Sequence, residues 1–177
     1  TVERPGLGSV AAHFESGGKA GAISSGKGDF GGKSYGAFQL SSKTGDVDKF
    51  LKSSGYASQF EGLQVGTKEF DTKWKELAKS DEFADAQRKH AIKEHYDPQM
   101  KKLQKAGIDL SQHGAGVQEA LMSTANQYGA NTNVVKTALQ GKDVSKMSDS
   151  EVINAIQDYK AATVEKRFKS SSEEQRA

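Results

Sequence analysis

The chain contains no cysteine. Disulfides, thiol nucleophiles and cysteine-ligated metal sites are therefore excluded. Such a protein works equally in reducing and oxidising compartments. Proline occurs twice, at Pro5 and Pro98, and tryptophan once, at Trp74. No apolar run approaches the roughly 20 residues that a membrane helix needs, and the start carries no signal-peptide pattern. The first residue is Thr1 rather than Met, which reads as a domain cut from a longer protein. An excess of one charge is also missing: 25 Lys and Arg stand against 23 Asp and Glu, interspersed, for a net charge of +2. A nucleic-acid binder needs a clustered basic face, so this balance argues against one. The length of 177 residues, with 34% apolar residues, suits one compact domain with a real core.

What is present is glycine, concentrated over residues 6–36, followed by helical patterns. Leu7, Val10, Ala11 and Phe14 fall on one helical face. Gly17 and Gly18 end that helix, with Glu15 in its last turn. Val47, Phe50 and Leu51 predict a short helix stopped near Gly55. Phe70, Trp74 and Leu77 predict another with Thr67 as N-cap, and Trp74 reads as core. Residues 81–96 read as a helix capped by Asp81 and ended before Pro98. Val117, Ala120, Leu121, Thr124 and Tyr128 form a stripe stopped near Gly129. Asn131–Gln140 predicts a short helix capped by Asn131 or Thr132. Ser148 and Glu151 form a capping box that starts a long final helix. The polar tail 170–177 is expected to fray. Residues 22–41 predict a small irregular β-hairpin. The fold class expected is mainly α (α+β), in one domain over 1–177.

Two carboxylates on separate backbone elements are the minimal equipment for cutting a glycosidic bond. Glu15 follows Phe14 at a helix end, where apolar neighbours would raise its pKa for acid catalysis. Asp29 lies fourteen residues later within Gly26-Lys27-Gly28-Asp29-Phe30-Gly31-Gly32. Taken alone, Glu15 also reads as a solvated glutamate and Asp29 as a turn-capping loop residue. Gly21–Lys27 matches most of a phosphate-binding loop, but Gly28 stands where a Ser or Thr is needed.

Together, Glu15-Ser16, the Gly26–Gly31 loop and Tyr35-Gly36-Ala37-Phe38-Gln39 resemble the goose-type lysozyme and soluble lytic transglycosylase superfamily. Ala125-Asn126-Gln127-Tyr128-Gly129 is similar to that superfamily's core-helix end. The longer loop, with Lys27 and Lys33, looks more like lysozyme domains of phage or bacterial antibacterial effectors. The resemblance implies a lysozyme-like fold with its hairpin beside a catalytic cleft. It implies a peptidoglycan hydrolase (muramidase) acting on the β-1,4 bond between N-acetylmuramic acid and N-acetylglucosamine. Glu15 would be the general acid and Asp29 the base that activates water, with carboxyl groups about 6.5–9.5 Å apart. Ser24, Tyr35, Gln39, Asn126, Tyr128 and Tyr159 would bind substrate or shape the site. An Asp shortly after the glutamine, usual in goose-type enzymes, is replaced by Leu40-Ser41-Ser42.

The alternatives are a lytic transglycosylase using Glu15 alone and a non-catalytic cell-wall-binding module. No cofactor or metal is expected: His90 and His95 lie five apart, not at the i, i+4 spacing of a helical metal pair. His13 and His113 read as packing and cap residues, and Lys101–Lys105 as a solvated helix face. The expected partners are peptidoglycan glycan strands, an immunity or inhibitor protein, and a fused delivery or amidase module. No nucleic acid or membrane partner is expected, and the protein would be a monomer. It would act in the bacterial periplasm or wall after delivery by a phage or secretion machine.

Overall fold

A computed structural model describes residues 19–25 and 32–176, with side chains through Lys166. The helix expected over Leu7–Phe14, His13, and both acids of the expected catalytic pair, Glu15 and Asp29, lie outside the described residues. The architecture is mainly helical with a small antiparallel sheet. The chain divides into two compact units at His95 and Tyr96.

The first unit opens with three two-residue strands in the order β1 (Ile23–Ser24), β2 (Ser34–Tyr35) and β3 (Leu40–Ser41). Ile23 pairs with Tyr35, and Tyr35 with Leu40, so the three lie across one row of the sheet. Strands this short have few ladder bonds and depend on packing for stability. The packing is aromatic: Tyr35, Phe50, Phe60, Phe70, Trp74 and Phe83 are all at most 4% exposed and form one cluster. Their rings meet mostly edge-on or tilted, as in the pair of Trp74 and Phe83 at 4.8 Å and 78°.

Three helices carry four of these rings, while Tyr35 comes from β2 and Phe60 from a 3-10 turn, Ala57–Phe60. The first, α1 (Asp46–Ser54), buries Val47, Phe50 and Leu51 at i, i+3 and i+4 and stops at Gly55, whose φ is +80°. In α2 (Lys68–Leu77), Phe70 and Trp74 are buried, and the Thr67 side chain caps the start by accepting the Phe70 N–H at 3.3 Å. α3 (Asp81–Ala91) is capped by Ser80 rather than Asp81, with the Phe83 N–H donating to Ser80 Oγ at 3.3 Å. Asp81 instead supplies negative charge to the first turn.

A π-helical turn, Ile92–Tyr96, leads from α3 into α4 (Asp97–Lys105). Pro98 therefore does not lie beyond a helix end. It occupies the first turn of the next helix, where a missing N–H removes no hydrogen bond.

The second unit then has α5 (Ala115–Tyr128), α6 (Val134–Leu139) and α7 (Asp149–Arg176), which pack on one another. Gly129 ends α5. α6 is shorter than expected. It is preceded by Asn133, and Thr132 Oγ1 accepts the Val134 N–H at 3.2 Å. The capping box of α7 is formed in both directions: Ser148 N–H donates to Glu151 Oε1 at 3.3 Å, and Glu151 N–H to Ser148 Oγ at 3.2 Å. The α7 backbone is helical through residue 176. Among the described residues, no helix is long and apolar enough to cross a membrane.

Candidate functional site

Gln39 is the only non-glycine residue with positive φ (52°) among the described residues. For an L-residue this conformation costs about 1–2 kcal/mol, and such strain persists only where surrounding contacts hold it. Two contacts hold the side chain. Its Nε2 donates to Gly36 O at 2.9 Å, and its Oε1 accepts from Ser24 Oγ at 2.5 Å. The structure thus brings together two expected contact residues, the exposed Ser24 on β1 and Gln39 in the turn before β3.

The turn Gly36–Gln39 is fixed from below. Gln87 of α3 is 2% exposed and accepts the Ala37 N–H at 2.9 Å. Its Nε2 donates to Ala20 O at 3.1 Å, and Trp74 Nε1 donates to the same oxygen at 2.9 Å. Gly36 N–H donates to Ala22 O at 2.7 Å. One buried amide therefore joins the segment before β1 to the turn after β2. No sequence motif marked Gln87. The available signal was a polar residue between Phe83 and His90 on the buried face of an amphipathic helix.

Tyr35 is fully buried. Its hydroxyl donates to Asp71 Oδ1 at 2.5 Å and accepts the Gly66 N–H at 3.1 Å. Burial and the Asp71 carboxylate both hold its pKa well above the usual tyrosine value. Asp71 also receives Lys33 Nζ at 2.5 Å. Tyr35 thus shapes the sheet from inside and presents no surface to a ligand.

Asn126, Tyr128 and Tyr159 belong to the second unit. Asn126 and Tyr128 are half-buried in the last turn of α5. Lys160 Nζ stands 5.8 Å from the centroid of the Tyr128 ring, within cation–π range. Burial lowers the Lys160 pKa. Half-buried Tyr159 precedes it on α7.

Two further buried glutamines act like Gln87. Gln99 Nε2 donates to Ala130 O at 2.9 Å and Thr132 O at 3.2 Å. Gln118 Nε2 donates to Leu110 O at 2.7 Å and His113 O at 3.1 Å. His113 is more than a cap. Its Nδ1 lies 2.7 Å from Asp149 Oδ1 and its Nε2 2.7 Å from Val144 O, while Asp149 Oδ2 accepts the Gly114 N–H at 3.0 Å. The start of α5 is thereby stapled to the start of α7. Among the described residues, no group of three or more His, Asp or Glu is placed to hold a metal ion.

Comparison with known proteins adds a sequence profile described as type VI secretion system spike protein VgrG3-like, C-terminal, which matches residues 7–177. The type VI secretion system spike protein VgrG3 of Vibrio cholerae serotype O1 is 39% identical over 168 residues. That alignment covers 93% of this chain and 16% of the relative.

These matches overturn the identification with the goose-type lysozyme and soluble lytic transglycosylase superfamily. The muramidase and transglycosylase reactions, the glycoside hydrolase class and the bacteriolytic role inferred from that resemblance are corrected with it, for neither description names such an activity. The specific resemblance rested on residues 13–41, a short stretch of acids and glycines, whereas the spike family matches residues 7–177. Glycine-rich loops recur wherever the backbone must turn tightly, so a pattern of that length identifies a local shape more than a family.

Proposed function

This chain belongs to the VgrG3-like C-terminal family of type VI secretion spike proteins, and from that membership we propose that it is a passenger module carried on a spike. The module leaves the producing cell with the spike and acts in the envelope of a recipient, in its periplasm or wall. The observation that carries this reading is the match to a spike-protein C-terminal family, together with a relative of which the aligned region is 16%. The matched profile describes the C-terminal part of such spikes and spans residues 7–177, which supports a module borne at a spike's C-terminal end.

Of the readings raised from the sequence, a module that acts by binding is compatible with spike membership. The exposed Ser24 and the strained Gln39 beside it are the residues we assign to contact with the recipient. The rigid support beneath them favours this assignment, because a recognition surface is more precise when its positioning groups are locked. The fused delivery module expected from the sequence corresponds, in this reading, to the spike itself.

The test is secretion. The spike protein bearing this module is tagged at its C-terminus in a producer with a contractile type VI apparatus. The tag is expected in the medium of that strain and absent from the medium of a sheath-deficient strain. Equal release from both strains overturns the proposal.

A further inference from the structure

A cavity of about 500 Å³ opens in the first unit between the C-terminal end of α1 and α3 with the turn after it. Its size falls within the range of about 300–1,000 Å³ usual for ligand pockets. Ser53, Tyr56, Ala86 and His90 line it, with Glu82 and Lys93 also on its wall. Neither Ser24 nor Gln39 takes part.

His90 is only 6% exposed yet reaches this cavity. Its Nδ1 lies 3.1 Å from Ser53 Oγ, whose hydroxyl is also 3.2 Å from Phe50 O. A serine hydroxyl has one proton to give. Given to Phe50 O, it leaves His90 with Nδ1–H and a lone pair at Nε2. Given to Nδ1, it leaves an N–H at Nε2. In either tautomer Nε2 makes no hydrogen bond with a described residue. The ring is mostly buried, and this nitrogen is left to bond a ligand or water in the cavity.

The charges of the wall are unequal in their engagement. Asp85 is tied to Arg88 at 2.7 Å and to Lys89 at 3.1 Å. Glu82 and Lys93 have no ion pair among the described residues. They lie eleven positions apart, about 16 Å along a helix. At about 3.3 Å per residue, an extended peptide of about five residues covers that distance. Tyr56, whose ring packs edge-on against Phe83 at 4.9 Å, and Ala86 give its body an apolar wall.

We propose that this cavity binds a short peptide with free termini, its amine at Glu82, its carboxylate at Lys93 and a backbone group at His90 Nε2. The site is separate from the Ser24–Gln39 surface and does not depend on the delivery reading.

Pentaalanine with free ends, titrated into isotope-labelled 177-residue protein and followed by NMR, tests it. Saturable shifts are expected at Tyr56, Ala86 and His90. N-acetyl-pentaalanine amide is expected to bind at least 5-fold more weakly. Glu82→Gln and Lys93→Gln, both at exposed positions without an ion pair among the described residues, are each expected to weaken binding several-fold while leaving the remaining spectrum unchanged. Absence of saturable shifts at these residues overturns the proposal. So does equal affinity for the capped peptide or for free alanine, or undiminished binding by the Glu82→Gln/Lys93→Gln double variant.

Discussion

Gln87 packs so closely on Gly36 that a Cβ added there would stand 2.9 Å from Gln87 Cδ and 3.0 Å from Trp74 Cζ2. Gly36 also has φ of +85°, a conformation other residues adopt only under strain. Gly36→Ala is therefore expected to lose about 2–4 kcal/mol, from backbone strain and overpacking together. Urea unfolding measures it, and a loss below about 1 kcal/mol would show that the turn yields easily. Because the two sites touch, Gly36→Ala combined with Gln87→Ala should cost less than the sum of the singles.

Tyr35 makes a separate prediction. Tyr35→Phe keeps the ring in the aromatic cluster and removes only the hydroxyl between Asp71 and Gly66. The expected loss is about 1–3 kcal/mol, because the Gly66 N–H loses its acceptor. Thermal unfolding reads the loss. A variant as stable as the parent would mean that water replaces the hydroxyl without penalty.

Several of the described helices were legible because their signals were local. Val47, Phe50 and Leu51 repeat at helical spacing, Thr67 stands in cap position, and Gly55 and Gly129 stop their helices where expected. Pro98 misled because proline ends a helix from within but starts one readily, and the two cases look alike in a string of letters. The site was less legible. That Ser24 and Gln39 share a hydrogen bond depends on strand pairing across fifteen residues, which no local pattern carries. Gln87 and Gln99 are hard to read as clamps for the same reason: each satisfies backbone groups that only the fold brings near. The family was not legible from residues 13–41, because a short pattern of glycines and acids recurs in unrelated sequences.

The capping box of α7 should be separable from the rest of the second unit. Ser148→Ala removes the acceptor of the Glu151 N–H and is expected to cost about 1 kcal/mol. Hydrogen exchange should quicken in the first turn of α7 and stay unchanged in α1–α3. Unchanged exchange at Glu151 would show that solvent caps the helix equally well.

The histidines of the two units should respond to acid in opposite directions. In the second unit both ring nitrogens of His113 face acceptors, which only the protonated ring satisfies fully. The hydrogen bond with Asp149 accordingly raises the His113 pKa. A raised folded pKa gives stability that is complete below the unfolded value, about 6.5, and lost as pH rises through the folded value. In the first unit burial lowers the pKa values of His90 and His95. Glu94 and Asp46 act against that shift at both, while Lys49 acts with it. His95 Nδ1 is buried without a hydrogen-bond partner among the described residues, so a proton there would be unsupported by them. With lowered folded values the sign reverses. The unfolded chain takes up protons first, and stability falls as pH drops from about 6.5 toward the folded values. Between pH 7 and pH 5, hydrogen exchange should therefore quicken in α1 and α3, after correction for the intrinsic pH dependence of exchange, while α5 and the start of α7 hold or gain protection. Replacing His113 with Gln should abolish the gain in the second unit and leave the acid response of the first intact. Parallel loss of protection in both units would sink the assignment of opposite proton linkage to these side chains.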